Sequence, residues 1–162
     1  MKDIHRYLST KISKSKIKAT NETIRDIVKS ELDRLGHDAD LNHIDVSEVT
    51  DMMSLFSCDD VDLGFKFYDL NPDISKWDVS NVKKMDYMFY ECEEFNCDIS
   101  EWDVSNVEDS TEMFYKCKSF DQDLSKWNLD KNRWFMPINM FYGCPISKEH
   151  LPKAYLDISK ID

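Results

Sequence analysis

From Ser75 to Ser80 the chain alternates polar and apolar residues, Ser-Lys-Trp-Asp-Val-Ser. That is the pattern of a short half-buried strand, with Trp77 and Val79 facing inward and Lys76, Asp78 and Ser80 outward. Just beyond, the period changes. Val82, Met85, Met88, Phe89 and Cys92 follow at steps of three and four residues, the apolar stripe of a short helix. Ser80 or Asn81 stands where an N-cap is expected. Phe95 and Ile99 close the unit, so the pattern predicts strand, cap, helix and return loop.

The unit recurs. WDVSNVKKMDYMFYECEEFNCDISE runs from Trp77 to Glu101, and WDVSNVEDSTEMFYKCKSFDQDLSK follows from Trp102 to Lys126. IDVSEVTDMMSLFS, from Ile44, is an earlier copy with Ile in the Trp position and extra residues before Asp73-Ile74-Ser75 resumes the pattern. A degenerate copy starts at Trp127 and ends in MFYGC, Met140–Cys144. In the copy from Trp102, Ser105 and Glu108 have capping-box spacing. A repeat of this length predicts a coil that buries its apolar face only against its neighbours. Stacking would align Ile44, Trp77, Trp102 and Trp127 in one ladder, Phe56, Phe89, Phe114 and Phe141 in a second, and Cys92, Cys117 and Cys144 in a third. Tyr90, Tyr115 and Tyr142 recur beside the phenylalanines, along one helix edge.

The motifs W-D-V-S-N-V, M-F-Y-x-C and F-x-x-D-(I/L)-S, in register over residues 42–147, resemble the BspA-like leucine-rich repeat family. The resemblance implies a leucine-rich-repeat-like α/β solenoid with short parallel strands and one short helix per coil, used for adhesion or protein binding. Family surface proteins usually carry an export signal. The N-terminal stretch here has no unbroken apolar run, and in this it resembles short phage- or prophage-borne forms.

Around the repeats, residues 1–41 read as a helical N-terminal cap. Ile24, Ile27, Val28, Leu32 and Leu35 lie on one helical face, with Thr20 or Asn21 as N-cap and Gly36 as the glycine beyond the C-terminus. A shorter helix is expected over residues 3–10. The solenoid follows over residues 42–147, its coils starting near 44, 77, 102 and 127. Residues 148–162 would cover the last coil.

Composition narrows the classes of function. At 41% hydrophobic and 12% aromatic the chain of 162 residues can bury a core. No apolar run is long enough for a membrane span. The expected location is the cytoplasm, with the five cysteines reduced. Net charge is −11, unevenly spread: residues 42–162 carry 12 Lys/Arg against 25 Asp/Glu, whereas residues 1–20 carry six Lys/Arg and one acid. An acidic surface repels nucleic acid and attracts basic partners, or simply keeps the protein soluble.

Candidate chemistry is sparse. His37–Asp45 sets Asp38, Asp40 and Asn42 at positions 1, 3 and 5 of an EF-hand loop, but His43 and Val49 stand at the glycine and glutamate positions. A transition-metal site at His37 and His43 is an alternative, and a plain turn before the first coil is another. The cysteines have no close metal-ligand spacing and no histidine tied to them by a motif. Cys97 alone departs from the repeat, its counterpart being Gln122. With three glycines there is no phosphate loop. No cofactor and no catalytic residue is assigned.

Binding surfaces are sought among the outward rows and where the repeat breaks. The rows are His43, Lys76, Glu101 and Lys126; Asp45, Asp78, Asp103 and Asn128; and Ser47, Ser80, Ser105 and Asp130. The acidic row fits either a binding face or Asp's preference for turns. The breaks are the Cys58–Asn71 insertion, with Phe65, Phe67 and Tyr68, and the run Arg133-Trp134-Phe135-Met136, which are interface-type residues or a lid on the last coil. The expected function is a non-catalytic, monomeric protein-interaction module with a protein partner, such as a basic host protein, and no direct nucleic-acid or membrane contact. The alternatives are an acidic mimic that blocks a basic nucleic-acid enzyme, and a metal protein or enzyme centred on residues 37–45.

Overall fold

The computed structural model describes residues 16–58, 69–129 and 139–158. The chain enters through a strand. β1 (Ile17–Lys18) pairs in parallel with β2 (Ile44–Asp45), in the register Ile17↔Ile44 and Lys18↔Asp45. Ala19, completely buried, donates its N–H to the Asp45 carbonyl at 2.9 Å. The N-terminal part is therefore not purely helical, and the helix expected over residues 3–10 lies outside the described residues.

α1 (Ile24–Leu35) follows, with Ile24, Val28 and Leu32 buried. Leu35 points the wrong way for the predicted face: it is 44% exposed. It is the last helical residue, and Gly36, at φ 96°, turns the chain there while donating to the Leu32 carbonyl at 2.8 Å. Neither Thr20 nor Asn21 caps the helix with its side chain. The Thr20 carbonyl accepts the N–H groups of Thr23 and Ile24 at 3.1 and 3.0 Å. Asn21 Oδ1 reaches sideways and accepts from Thr50 and Asp51, at 2.8 and 3.2 Å. Arg25 donates to the carbonyls of Met53 and Ser54. Thus α1 both buries an apolar face and satisfies backbone groups along the edge of the first repeat.

Equivalent segments of successive repeats lie side by side, joined by backbone bonds. The helix expected in each repeat does not form within the described residues; Met85–Cys92 runs as overlapping turns. The N–H groups of Met85, Tyr87, Phe89 and Glu91 donate to Asp109, Thr111, Met113 and Tyr115 in the next repeat, at 2.8–3.0 Å. Those of Met88, Tyr90 and Cys92 instead fold back to the third residue before them. Tyr87 and Glu91, four residues apart, take left-handed backbone at φ 57° and 59°. Ser54, Glu112, Lys116 and Asn139 do the same at equivalent positions. Met85, Met88, Phe89 and Cys92 are nevertheless fully buried. The three-and-four spacing was satisfied by turns because they send half of the amides to the neighbour, where a helix of two turns would keep them to itself and be marginal alone.

The expected strand at residues 75–80 is also replaced by turns. Trp77 and Val79 are buried and Lys76 and Asp78 exposed, as the alternation requires, but side chains carry the links between repeats. The indole N–H groups of Trp77, Trp102 and Trp127 donate to the carbonyls of Leu41, Ile74 and Ile99 at 3.0–3.3 Å. Asn81 and Asn106 donate to the carbonyls of Ser47 and Ser80 at 2.9 and 2.7 Å. Parallel bridges persist at Asp40↔Asp73 and along Asp51↔Lys84↔Asp109.

The core is built from stacked equivalents. Phe56, Phe89, Phe114 and Phe141 stack with ring centroids 5.4–5.5 Å apart. Phe95 lies on Phe120 at 5.7 Å and Trp102 on Trp127 at 6.5 Å. The thiols of Cys92 and Cys117 donate to the carbonyls of Phe56 and Phe89 at 2.9 and 3.0 Å. One apolar cluster runs from Ala19 to Phe141, so the N-terminal part and the repeats share a core. At the far end a 3-10 turn (Lys148–His150) leads to α2 (Lys153–Ile158). Tyr155 meets Phe141 edge-on at 5.1 Å, and the Leu124 N–H donates to the His150 carbonyl at 2.8 Å.

Two substitutions test this packing with opposite signs. Trp102→Phe removes one of two hydrogen bonds to the Ile74 carbonyl, which keeps the Trp77 N–H, and should lower stability by about 1 kcal/mol, read from the urea midpoint. Ser54→Gly relieves left-handed backbone and should raise stability by about 1 kcal/mol in the same assay.

Candidate interaction surface

The acidic row resolves into turns. Asp78 Oδ1 accepts both the N–H and the hydroxyl of Ser80, at 3.2 and 2.7 Å, and Asp103 Oδ1 accepts the Ser105 N–H at 3.0 Å. The same Asp-x-Ser turn forms at Asp45, Asp73, Asp98 and Asp123. In these turns the serine hydroxyl, then its N–H, holds the carboxyls of Asp45, Asp98 and Asp123 below their usual range. Those three carboxylates thus stay ionised, and throughout the row the hydrogen bonds to serine are local.

The alternating row behaves as its charges suggest. Glu101 and Lys126 meet at 3.3 Å, both more than 70% exposed, a pair worth only about 0–1 kcal/mol. Lys76 is exposed, and its N–H donates to Asn42 Oδ1 at 2.8 Å. Parallel to this row, Lys116 and Lys118 bind Glu91 and Glu93 of the preceding repeat at 2.6 and 2.5 Å.

The most distinctive surface feature is aromatic. Tyr90 stacks on Tyr115 with centroids 4.8 Å apart, and Tyr115 on Tyr142 at 5.2 Å. Tyr87 tilts against Tyr90 at 5.7 Å, and Lys116 Nζ lies 5.0 Å from the Tyr115 centroid. Burial, then the charge of Glu91, pushes the Tyr90 phenol up. Tyr142 is 60% exposed and Tyr87 37%. The recurrence of Tyr90, Tyr115 and Tyr142 was plain in the sequence. What was missing was their placement: the left-handed residues at 87 and 91 turn the phenols outward while Phe89 turns in.

The two histidines of the 37–45 segment serve different carboxylates. His37 Nδ1 lies 2.8 Å from Asp69, and His43 Nε2 lies 2.8 Å from Glu31, which also receives Arg34. The Arg34 bond, with a smaller contribution from His43, outweighs burial and keeps the Glu31 carboxyl below its ordinary range. Asp40 Oδ1 accepts the Asn42 N–H at 3.0 Å. Among the described residues no group of three or more His, Cys, Asp or Glu side chains is placed to hold a metal ion. Gly36, His37, Asp38, Asp69, Asn71 and Glu94 line an open depression. Cys92 and Cys117 are buried, and burial pushes both thiols far up; Cys144, half-buried, is pushed up to about 11. Such thiols pack rather than react. Phe65, Phe67, Tyr68, Arg133, Trp134, Phe135 and Met136 lie outside the described residues.

One carboxylate is out of place. Asp86 is buried, and its Oδ1 has no hydrogen-bond partner among the described residues. Burial, with Asp109 and Asp51 nearby, raises its proton affinity above the ordinary value. A carboxyl whose proton binds more tightly in the folded state opposes folding at neutral pH, and that penalty fades as pH falls towards its unfolded value near about 4. Asp86→Asn should therefore raise the melting temperature at pH 7, with the gain shrinking to nothing below about pH 4.

A family model described as "Mycoplasma protein of unknown function, DUF285" matches residues 28–153, and the chain belongs to that family. No curated protein and no solved structure matches it. Among the described residues no helix is long and apolar enough to cross a membrane.

Proposed function

Taking membership of the DUF285 family as premise, we propose that the chain is a non-catalytic protein-interaction module, a short BspA-like repeat solenoid of the leucine-rich-repeat type. The tyrosine edge carries this reading. Tyr90, Tyr115 and Tyr142 form a stacked, partly exposed strip, widened by Tyr87. Tyrosine offers large, rigid contact area with a polar tip, and it is enriched in interface hot spots. The strip is preorganised by ring stacking and by the Glu91–Lys116 pair, so little side-chain freedom remains to be lost on binding. The partner is a protein, and the net charge of −11 favours one with a basic rim. The proposed setting is the cytoplasm, with the module acting as a monomer.

The acidic-mimic reading has weaker support. Its carboxylates sit in Asp-x-Ser turns, and several acids are offset by lysines of the adjoining repeat.

Photo-crosslinkers placed at Tyr87 and Tyr115 test the proposal. The expected result is a small, reproducible set of proteins from host lysate, lost when Tyr90 and Tyr142 are both changed to Ser while the melting curve is kept. Crosslinks that stay diffuse, or survive those changes, would contradict it.

A further inference from the structure

Within the buried turn segments the backbone links run from each repeat to the next, although at the flanks Lys83 and Glu108 donate backwards to Thr50 and Lys83. Met52, Ser54, Phe56 and Cys58 donate N–H groups to Lys84, Asp86, Met88 and Tyr90. Met85, Tyr87, Phe89 and Glu91 donate onward in the same way, and Phe114 and Lys116 donate to Met140 and Tyr142. The next donors in this series are Phe141 and Gly143, the equivalents of Phe89 and Glu91. Neither N–H has an acceptor among the described residues. Gly143 holds the left-handed conformation of its equivalents, at φ 72°, without a side chain to cover the edge.

The aromatic stack ends at the same place. Tyr142 covers Tyr115 on one side and is itself 60% exposed. The opposite end of the repeats is closed. Arg25 takes the Met53 and Ser54 carbonyls, and Leu55 and Ser57, the equivalents of acceptors Met88 and Tyr90, are 1% and 5% exposed. A second copy of the chain therefore has no free acceptor row to offer in head-to-tail stacking, although the donors await one.

We propose that the edge formed by residues 139–143 binds a segment of a partner protein, curled in the same overlapping turns, as an added backbone rung. The segment supplies carbonyl oxygens two residues apart to the N–H groups of Phe141 and Gly143, and an aromatic ring to the open face of Tyr142. Unpaired edges take peptides in this way, main-chain bonds giving affinity and side-chain contacts giving selectivity. This rests on the interaction reading above and names the partner's chemistry: an exposed, turn-forming stretch with an aromatic residue between two free carbonyls.

The probe is the peptide acetyl-Lys-Asn-Met-Phe-Tyr-Gly-Lys-amide, which copies the segment that the Phe114 and Lys116 amides meet. It is titrated into the full chain while amide hydrogen exchange is followed by NMR. Exchange at Phe141 and Gly143 should slow about tenfold or more, saturably. Replacing the peptide's tyrosine by alanine, or introducing Tyr142→Ala in the protein, should each weaken binding about tenfold. Unchanged exchange at both amides with millimolar peptide would overturn the proposal. So would protection of both without peptide in a sample that sediments as a dimer, since the occupant would then be a second copy. If crosslinks at Tyr87 persist while the peptide fails, the edge assignment falls and the interaction reading stands.

Discussion

Everything in this molecule depends on where the repeat's backbone amides go. A unit of 25 residues, the spacing of Trp77 and Trp102, cannot bury its own apolar face or pair its own N–H groups. Here every second amide of Met85–Glu91 is handed to the following repeat, and those of Met88 and Tyr90 between them close tight turns. Stacking the units thus pairs the backbone and buries the phenylalanine ladder in one operation. The cost is left-handed backbone at Ser54, Tyr87, Glu91, Glu112, Lys116 and Asn139, about 1 kcal/mol or more at each non-glycine position.

The side chains of Trp-Asp-Val-Ser-Asn-Val then acquire separate tasks. The indole of Trp102 bonds the Ile74 carbonyl, Asp103 closes a turn on Ser105, Val104 and Val107 fill the core, and Asn106 bonds the Ser80 carbonyl. Each of these contacts is structural. The surfaces left over are the tyrosine strip and the edge at Phe141 and Gly143, both created by repetition: one because identical rings stack, the other because stacking stops.

Burial was readable in the sequence almost residue by residue. The spacing of Met85, Met88, Phe89 and Cys92 identified the inward side, and the recurrence of Trp, Phe and Cys identified what would stack. The backbone was not readable. A step of three and four fits a helix, and it equally fits a turn with a left-handed residue every fourth position, because side-chain spacing does not say which carbonyl an amide meets. β1 was missed for another reason: two residues in a basic segment have no pattern to show, and Ile17 pairs only because Ile44 presents an edge. Leu35 had the right angular position but sits where Gly36 ends the helix. As for the binding surface, the acidic row of Asp78 and Asp103 was visible with both of its readings, and the geometry shows the turns that these residues close. The tyrosines were visible as a recurrence, but their exposure depended on the backbone that the spacing could not specify.

Hydrogen-bond scalar couplings measured across N–H···O=C in the labelled protein test the central claim most directly. The account predicts couplings from the nitrogens of Tyr87, Phe89 and Glu91 to the carbonyl carbons of Thr111, Met113 and Tyr115. Couplings from those nitrogens to the carbonyl four residues earlier, as in a helix, would contradict it.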